Sequence, residues 1–190
     1  MKYNFTKKPT ISASRTLFSL QNAMLEFLSK KSFEEITVQE LCIFAMIPRA
    51  TFYNYFEDKY DLLNYCFLNI HKKIDIGYKD EINCKKRLNI MMENFFDYFN
   101  KNIETVEKIS KHNSKNKYLI TQIRFYITQN MINAFENSST FHEFKIPKDM
   151  AAKLYSESIL IILERTYLDK KYCSKLQAQE YLNIMVSGVI

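Results

Sequence analysis

Four hydrogen-bonding side chains lie within six consecutive positions of the sequence, at Arg49, Thr51, Tyr53 and Asn54. An arginine guanidinium can pair with the edge of a guanine through two hydrogen bonds, and an asparagine amide can do the same with an adenine. Aromatic side chains stand between and beside these polar residues, so part of the segment can also anchor in a core. This pattern predicts a short surface that reads base edges in double-stranded DNA.

Two short helices must position these side chains. Thr37 and Glu40 have the spacing of a capping box, in which each side chain bonds a free backbone N–H near the other, so a helix is expected to begin at this point. Pro48 is expected in the first turn of a second helix, because proline has no N–H to donate. The stretch is predicted to be a helix-turn-helix, whose second helix enters the major groove. Its apolar inner face would consist of Val38, Leu41, Ala45, Ile47, Phe52 and Phe56.

The side chains used in other kinds of chemistry are scattered. The four cysteines form no CxxC pair and have no histidine at ligand spacing, so no metal site is expected. The two glycines, Gly77 and Gly188, are too few for a loop that holds a nucleotide phosphate. We therefore expect neither an enzyme nor a cofactor. An enzyme with a helical site built from ordinary residues is the alternative, and no paired acid–base groups support it.

Composition points to an all-α fold. The chain has 190 residues, 47% of them hydrophobic and 25% charged, as in an ordinary globular protein. Two glycines and three prolines are too few for the many turns of an all-β fold. Apolar residues recur at spacings of three and four, as in amphipathic helices. Nine helices are predicted, four within residues 12–76 and five at about 84–101, 103–111, 116–137, 148–169 and 174–188.

Charge and hydropathy bear on the possible partners. The net charge of +6 allows a nucleic-acid partner without proving it, since the basic excess is not concentrated in the first 60 residues. The first segment contains four basic residues, Lys2, Lys7, Lys8 and Arg15. They belong either to a flexible arm that contacts phosphate or the minor groove of DNA, or to a disordered chain end without a function. The apolar run Ile159–Leu163 is too short to span a bilayer, and the first ten residues lack the apolar stretch of a signal peptide. A cytoplasmic protein without a membrane partner is expected.

The helix-turn-helix stretch resembles the N-terminal DNA-binding domain of TetR/AcrR-type transcriptional regulators. The similarity extends over residues 12–65 and depends mainly on the segment Thr51-Phe52-Tyr53-Asn54-Tyr55-Phe56-Glu57-Asp58-Lys59, with Ile36-Thr37-Val38, Ala45 and Leu62-Leu63. It implies an all-α, nine-helix homodimer, with a DNA-binding head in residues 1–65 and a domain for effector binding and dimerisation in residues 66–190. It further implies a regulator, most commonly a repressor, that reads a palindromic operator and responds to a small-molecule effector of unknown identity.

The resemblance also implies roles for individual residues of the head. Those that would face base edges or the groove are Arg49, Ala50, Thr51 and Asn54. Those that would hold the DNA backbone are Thr37, Tyr53, Tyr55 and Lys59, and Gln39 belongs to the same surface. Two positions depart from the family pattern: Met46 replaces the usual turn glycine, and Pro48 replaces the usual polar cap. Met46 must therefore avoid a positive φ or adopt it at a cost.

The aromatic residues and methionines of the C-terminal half allow two interpretations. They can line a cavity for a small-molecule effector, because such side chains suit an adaptable apolar pocket, or they can simply fill the core. The candidate ligand-binding residues are Met92, Phe95, Phe96, Phe99, Phe125 and Tyr126. Residues 49–63 also resemble a branch of the family that includes activator-like regulators of dihydroxyacetone kinase operons, which respond to a protein partner. The alternative is therefore a regulator whose C-terminal domain binds a protein and has no small-molecule pocket.

The run Ile159–Leu163 is apolar on every side of a helix, so it must be covered on two sides. One side can face its own subunit and the other a second copy of the chain, since a two-fold dimer buries the same patch twice. A central helix in a monomer is the alternative. The candidate dimer residues are Ile159, Ile162, Leu163, Tyr181 and Met185.

Overall fold

A computed structural model of the chain describes residues 9–74, 84–113, 118–136 and 145–187. Within these ranges the chain forms nine α-helices and no strand, so the predicted all-α fold is confirmed for the described residues. The helices are α1 (Ile11–Leu28), α2 (Val38–Ala45), α3 (Arg49–Tyr55), α4 (Lys59–Ile74), α5 (Cys84–Lys101), α6 (Ile103–His112), α7 (Tyr118–Glu136), α8 (Lys148–Leu163) and α9 (Lys175–Val186). Lys2, Lys7, Lys8, Gly77 and Gly188 lie outside the described residues.

Two short helical segments were not predicted. A 3-10 helix, Phe33–Glu35, precedes α2, and a π-helical segment, Glu164–Leu168, continues α8. The predicted helix over residues 148–169 is therefore an α-helix followed by one wider turn. Apolar spacing does not distinguish these two forms, because both keep the chain helical.

The chain divides into two compact units. The first unit comprises Met1–His71 and Lys108–Leu119, and the second comprises Lys72–Glu107 and Ile120–Ile190. The end of α6 and the start of α7 thus belong with the helices of the predicted head, which no sequence pattern indicated. The functional division between residues 65 and 66 stays a prediction.

The first unit is built around an apolar core in which α1 packs on α2 and α2 packs on α3. Leu20 and Met24 of α1 are fully buried, as are Leu41 of α2 and Phe52 of α3. Burying each such side chain contributes about 1.5–3 kcal/mol. The core therefore fixes α2 and α3 against a longer supporting helix, as a helix-turn-helix requires.

In the second unit, α9 packs on both α5 and α8. Tyr167 of the π-helical segment is buried, with its ring centre 4.9 Å from that of Phe99 and 5.7 Å from that of Phe96. Its hydroxyl donates a hydrogen bond to Oδ1 of Asn100 at 2.8 Å. Burial raises the pKa of Tyr167, so the phenol stays protonated and keeps this bond.

An arginine joins α7 to α8 within the second unit. The guanidinium of Arg124 donates to Glu157 at 2.5 Å and to Glu164 at 2.6 Å. Since Glu157 lies on α8 and Glu164 begins the π-helical segment, this one side chain connects three elements. No helix within the described ranges combines the length and apolarity needed to cross a membrane.

Candidate nucleic-acid interface

The start of α2 is closed by the predicted capping box. The backbone N–H of Glu40 donates to Oγ1 of Thr37 at 3.3 Å, and the backbone N–H of Thr37 donates to Oε2 of Glu40 at 3.0 Å. The other carboxylate oxygen of Glu40 accepts from Nζ of Lys31 at 2.6 Å. The hydrogen bonds from Lys31 and Thr37 lower the pKa of Glu40 to about 2. The α2 N-terminus is thus held by an ionised carboxylate, with Thr37 and Gln39 exposed beside it.

The turn between α2 and α3 passes through Met46 in the left-handed conformation, with φ 55° and ψ 41°. This backbone position satisfies the carbonyls that end α2, since the N–H of Ile47 donates to the carbonyl of Cys42 at 3.0 Å. For a residue with a Cβ the conformation costs about 1–2 kcal/mol. Met46 therefore adopts the positive φ at a cost, and its side chain is 92% exposed.

The second helix begins directly after Pro48, which occupies the N-cap with φ −62°. Proline was expected in the first turn and lies one position before it. The helix needs no N–H donor at this position, so proline costs it no hydrogen bond. The carbonyl of Pro48 accepts the N–H of Phe52 at 3.2 Å, which closes the first turn of α3. Arg49 is thereby the first helical residue of the predicted recognition helix.

The inner face of α3 is anchored by two aromatic rings. Phe52 and Phe56 are fully buried, with ring centres 5.6 Å apart. From α2, Leu41 and Cys42 are buried as well, whereas Val38, Ala45 and Ile47 are half-buried. Because the rings cannot move without opening the core, α3 is presented as a rigid element.

The outer face of α3 carries the side chains that the sequence analysis assigned to DNA. Arg49, Ala50, Tyr53 and Asn54 are exposed, and their spacing of one and four places them on one side of the helix. Nη2 of Arg49 lies 3.4 Å from the phenol oxygen of Tyr53, which orients the guanidinium along this face. Thr51 and Tyr55 are half-buried at its margins. The arrangement offers hydrogen-bond donors and acceptors to a groove of DNA.

Lys59, the first residue of α4, is placed differently from the other predicted contact residues. Its Nζ donates to the backbone carbonyls of Phe33 at 3.0 Å, Glu34 at 2.9 Å and Ile36 at 2.8 Å. The same atom lies 4.8 Å from the ring centre of Phe33 and 5.6 Å from that of Tyr60. The ammonium therefore points at the protein backbone between the 3-10 helix and α2.

A second group of residues holds the 3-10 helix in the first unit, and sequence reasoning missed it. Asn113, just after α6, is fully buried, and its Oδ1 accepts from the backbone N–H of Phe33 at 3.0 Å. Its Nδ2 donates to the carbonyls of Leu28 at 3.3 Å and Ile109 at 3.0 Å. The backbone N–H of Tyr118 donates to Oε1 of Glu34 at 2.9 Å. Asn113 lies in a polar stretch without periodicity, so no sequence signal marked it.

The predicted ligand-binding residues of the second unit fall into three groups. Met92, Phe95 and Phe96 are buried, and Phe99 and Tyr126 are half-buried. Phe125, in contrast, is 61% exposed, because it lies on the side of α7 that faces away from its own core. The structure therefore does not bring Phe125 into a closed site with the buried residues.

The predicted dimer residues also differ in their exposure. Ile159, Ile162 and Leu163 are covered by their own subunit, and the exposed residue of the run is Ile161, at 48%. Tyr181 is exposed on α9. The apolar residues that face outward from α8 and α9 are Met150, Leu154, Ile161, Leu176, Tyr181, Ile184 and Met185. An open groove of about 530 Å³ lies along α9, lined by Leu176, Gln179, Glu180, Asn183, Ile184 and Ser187.

Metal-binding side chains do not gather in the part of the chain that the structure describes. No group of three or more histidine, cysteine or acidic residues is placed to hold an ion within those ranges. The thiols of Cys42, Cys66 and Cys173 are buried and free. Burial raises the pKa of Cys66 to about 12, so this thiol is protonated at neutral pH.

Solved structures identify the fold. A protein described as a TetR-family transcriptional regulator from Syntrophomonas wolfei aligns with a TM-score of 0.66 at 16% identity, over 92% of this chain and 94% of that one. SmeT in complex with triclosan gives a TM-score of 0.62 at 14% identity, over 92% and 91%. The dihydroxyacetone kinase operon activator DhaS gives 0.57 at 17% identity, over 92% and 96%.

These similarities show that the chain has the fold of TetR-family transcriptional regulators. The fold implied by the resemblance in residues 12–65 is therefore confirmed. No protein-family model matches the sequence, and no curated protein sequence matches it either.

Proposed function

We propose that the chain is a DNA-binding transcriptional regulator that acts as a homodimer in the cytoplasm and has no enzymatic activity. The observation that carries the proposal is the outer face of α3, where Arg49, Tyr53 and Asn54 are exposed while Phe52 beneath them is fully buried. A short, rigid helix with hydrogen-bonding side chains on its free face is what readout of the major groove requires. The fold shared with TetR-family regulators agrees with this function.

The proposed contacts divide into base readout and backbone positioning. The face of α3 that carries Arg49 and Asn54 enters the groove, with Ala50 and Thr51 close to the base edges. The backbone contacts come from Thr37 and Gln39 at the start of α2 and from Tyr53 and Tyr55 of α3. Lys59 is left out of this set, because its three N–H donors are already bonded to carbonyls.

The proposed homodimer forms through the outward faces of α8 and α9. These faces expose isoleucine, leucine and methionine side chains, among them Ile161 at 48% and Ile184 at 65%. An apolar stripe of this kind is covered when a second copy applies the same stripe through a two-fold axis. Two heads then read the half-sites of a palindrome, about 34–36 Å apart on B-DNA.

For control of DNA binding, we propose a small-molecule effector held in the second unit, and repression as the sign of regulation. Phe99 and Tyr126 are half-buried, and Met92, Phe95 and Phe96 of α5 are buried, so these apolar side chains are the ones that we propose to contact the effector. SmeT, which shares the fold, has been solved with triclosan bound. The dimer can populate conformations that differ in the spacing of its two heads. An effector that binds one of these conformations better than another increases the population of that conformation.

A protein partner in place of the effector is the alternative. Two observations favour it: Phe125 is 61% exposed on α7, and the rings of Phe96 and Phe99 both pack on the ring of Tyr167. Titration of candidate small molecules with a thermal-shift readout separates the two. A ligand that raises the unfolding temperature and changes DNA affinity supports the effector, whereas a partner that binds wild type and not Phe125→Glu supports the docking surface.

The test of DNA binding is fluorescence anisotropy with the intergenic DNA upstream of the protein's own gene, compared with a scrambled duplex of the same composition. The proposal predicts tighter binding to the native duplex, with two subunits per site. It also predicts that affinity falls steeply with salt, because phosphate contacts release counterions. Equal, weak binding to both duplexes at every salt concentration would contradict the proposed function.

A further inference from the structure

We infer that Lys59 is a positioning residue of the DNA-reading head and does not contact phosphate. The inference deepens the proposed function and rests on it. It reverses the role that the resemblance gives to this position, and the reason lies in where its ammonium group is bonded.

The ammonium of Lys59 has no donor left for DNA. A lysine ammonium carries three N–H groups, and those of Lys59 meet the carbonyls of Phe33, Glu34 and Ile36 at 2.8–3.0 Å. Two of these carbonyls belong to the 3-10 helix Phe33–Glu35 and the third to Ile36, its C-cap. A cation near the carbonyl end of a helix is favourable, because the carbonyls point toward it. A phosphate contact would have to break this arrangement.

The surroundings of the ammonium agree with a structural role. The group lies 4.8 Å from the ring centre of Phe33 and 5.6 Å from that of Tyr60, within the range of cation–π attraction. Phe33 is fully buried, so the cation is held against the core of the first unit. Burial accordingly lowers the pKa of Lys59.

The bonded carbonyls lie directly before the DNA-reading elements. Ile36, whose carbonyl makes the shortest of the three bonds, immediately precedes Thr37, the N-cap of α2. Lys59 itself begins α4, three positions after Phe56, the last anchor of α3. One side chain therefore joins the chain entering α2 to the chain leaving α3. It sets where Thr37 and the exposed face of α3 stand relative to each other.

Salt dependence separates positioning from phosphate contact. Each phosphate contact contributes about 0.9 to the slope of log affinity against log salt concentration, so loss of one contact per subunit lowers the slope of a dimer by about 1.8. Lys59→Met keeps the aliphatic stem and removes all three donors. We expect operator affinity to fall by about tenfold, binding to random DNA to change by less than about threefold, and the salt slope to stay as in wild type.

Lys30→Met is the matched control, because it removes the same charge from the same unit. Lys30, two positions after the end of α1, is 60% exposed and pairs with Glu26 of that helix at 2.6 Å. This variant should bind both duplexes as wild type does. Lys59→Gln adds a second control, since its amide retains donors without the charge, and it should recover part of the operator preference that Lys59→Met loses.

The outcomes are distinct. Equal losses on operator and random DNA with a slope lower by about 1.8 would overturn the inference and make Lys59 a phosphate contact. Wild-type binding by Lys59→Met would overturn it as well, since the residue would then position nothing. If wild type itself shows no preference for any operator, the proposed function fails, and that result is separate from either outcome for Lys59.

A measurement on unaltered protein covers the case in which the variants do not fold. Acylation of surface amines, followed by mass spectrometry, should modify Lys30 faster than Lys59 in the free protein. The addition of operator should leave the rate at Lys59 unchanged, because its ammonium is already covered. Rapid acylation of Lys59 that operator DNA suppresses would contradict the inference.

Discussion

The outer face of α3 and the outer faces of α8 and α9 expose different kinds of side chain. On α3, Arg49, Tyr53 and Asn54 face outward around a helix that is anchored from beneath by Phe52. On α8 and α9, the outward residues are apolar, with Leu176 and Ile184 the most exposed. Each surface is backed by a buried core, and the difference between them agrees with the two partners proposed above: base edges and phosphates for the first surface, and a second copy of the chain for the other.

The largest expected effect tests whether the polar face of α3 depends on its buried anchor. Phe52→Ala should lower the free energy of unfolding by about 3–5 kcal/mol, because it removes a fully buried ring and leaves a cavity. Urea unfolding followed by circular dichroism measures the change. The matched control is Tyr53→Ala, next in sequence and 37% exposed, which should cost less than about 1 kcal/mol. Equal costs would show that α3 is not anchored as described.

The second prediction concerns a substitution in the apolar outer faces of α8 and α9. Ile184→Glu should raise the dissociation constant of the dimer by about a hundredfold or more, because a carboxylate would be buried without a partner. Sedimentation velocity over a range of concentrations measures it. Ile43→Glu is the control, since Ile43 is 69% exposed but lies on α2 of the first unit. A dimer that persists in Ile184→Glu would place the interface elsewhere.

The third prediction tests the membership of residues 108–119 in the first unit. Asn113→Ala should cost about 2–3 kcal/mol, because the buried N–H of Phe33 and carbonyl of Leu28 lose their partner. Hydrogen exchange should quicken in peptides covering residues 28–36 and not in those covering residues 120–136 of α7, which belong to the second unit. Asn102→Ala, which removes a bond to the carbonyl of Tyr98 at the end of α5, should cost less than about 1 kcal/mol. Exchange that quickens throughout both units would contradict the division.

The smallest effect concerns the capping carboxylate of α2. The pKa of Glu40 is lowered from 4.5 to about 2, so between these values the unfolded chain binds a proton that the folded chain does not. Stability from Glu40 is therefore complete above the unfolded pKa and is lost as pH falls toward 2.

Glu40→Gln should accordingly be less stable than wild type at pH 6, by less than about 1 kcal/mol because the pair is screened by solvent. The gap should close as the pH falls, and high salt should narrow it at pH 6. Thermal unfolding from pH 6 to pH 2 measures the difference. A gap of constant size across that range would show that the charge of Glu40 contributes nothing.

Local signals in the sequence predicted most of the fold. Thr37 and Glu40 marked the start of α2, Pro48 marked the start of α3, and apolar spacing marked the long helices. Each of these signals acts within a few residues, through caps, backbone restrictions or one helix face. The inward position of Phe52 and the outward position of Tyr53 followed from the same periodicity.

The remaining features depend on contacts between distant parts of the chain. Asn113 bonds residues eighty or more positions away, and Lys59 bonds carbonyls more than twenty positions away. No periodicity encodes such pairs. The run Ile159–Leu163 is apolar on all sides, so its sequence could not indicate that Ile161 faces outward and Ile159 inward. Tertiary packing decides which side of such a helix is covered.

The most direct test of the central claim is the affinity of wild type and Arg49→Ala for operator and scrambled duplexes at one salt concentration. If the exposed face of α3 reads bases, Arg49→Ala should lose about 1–3 kcal/mol on the operator and far less on the scrambled duplex, so the ratio of the two affinities falls. Equal losses on both duplexes would contradict the account, because Arg49 would then contribute charge and no sequence readout.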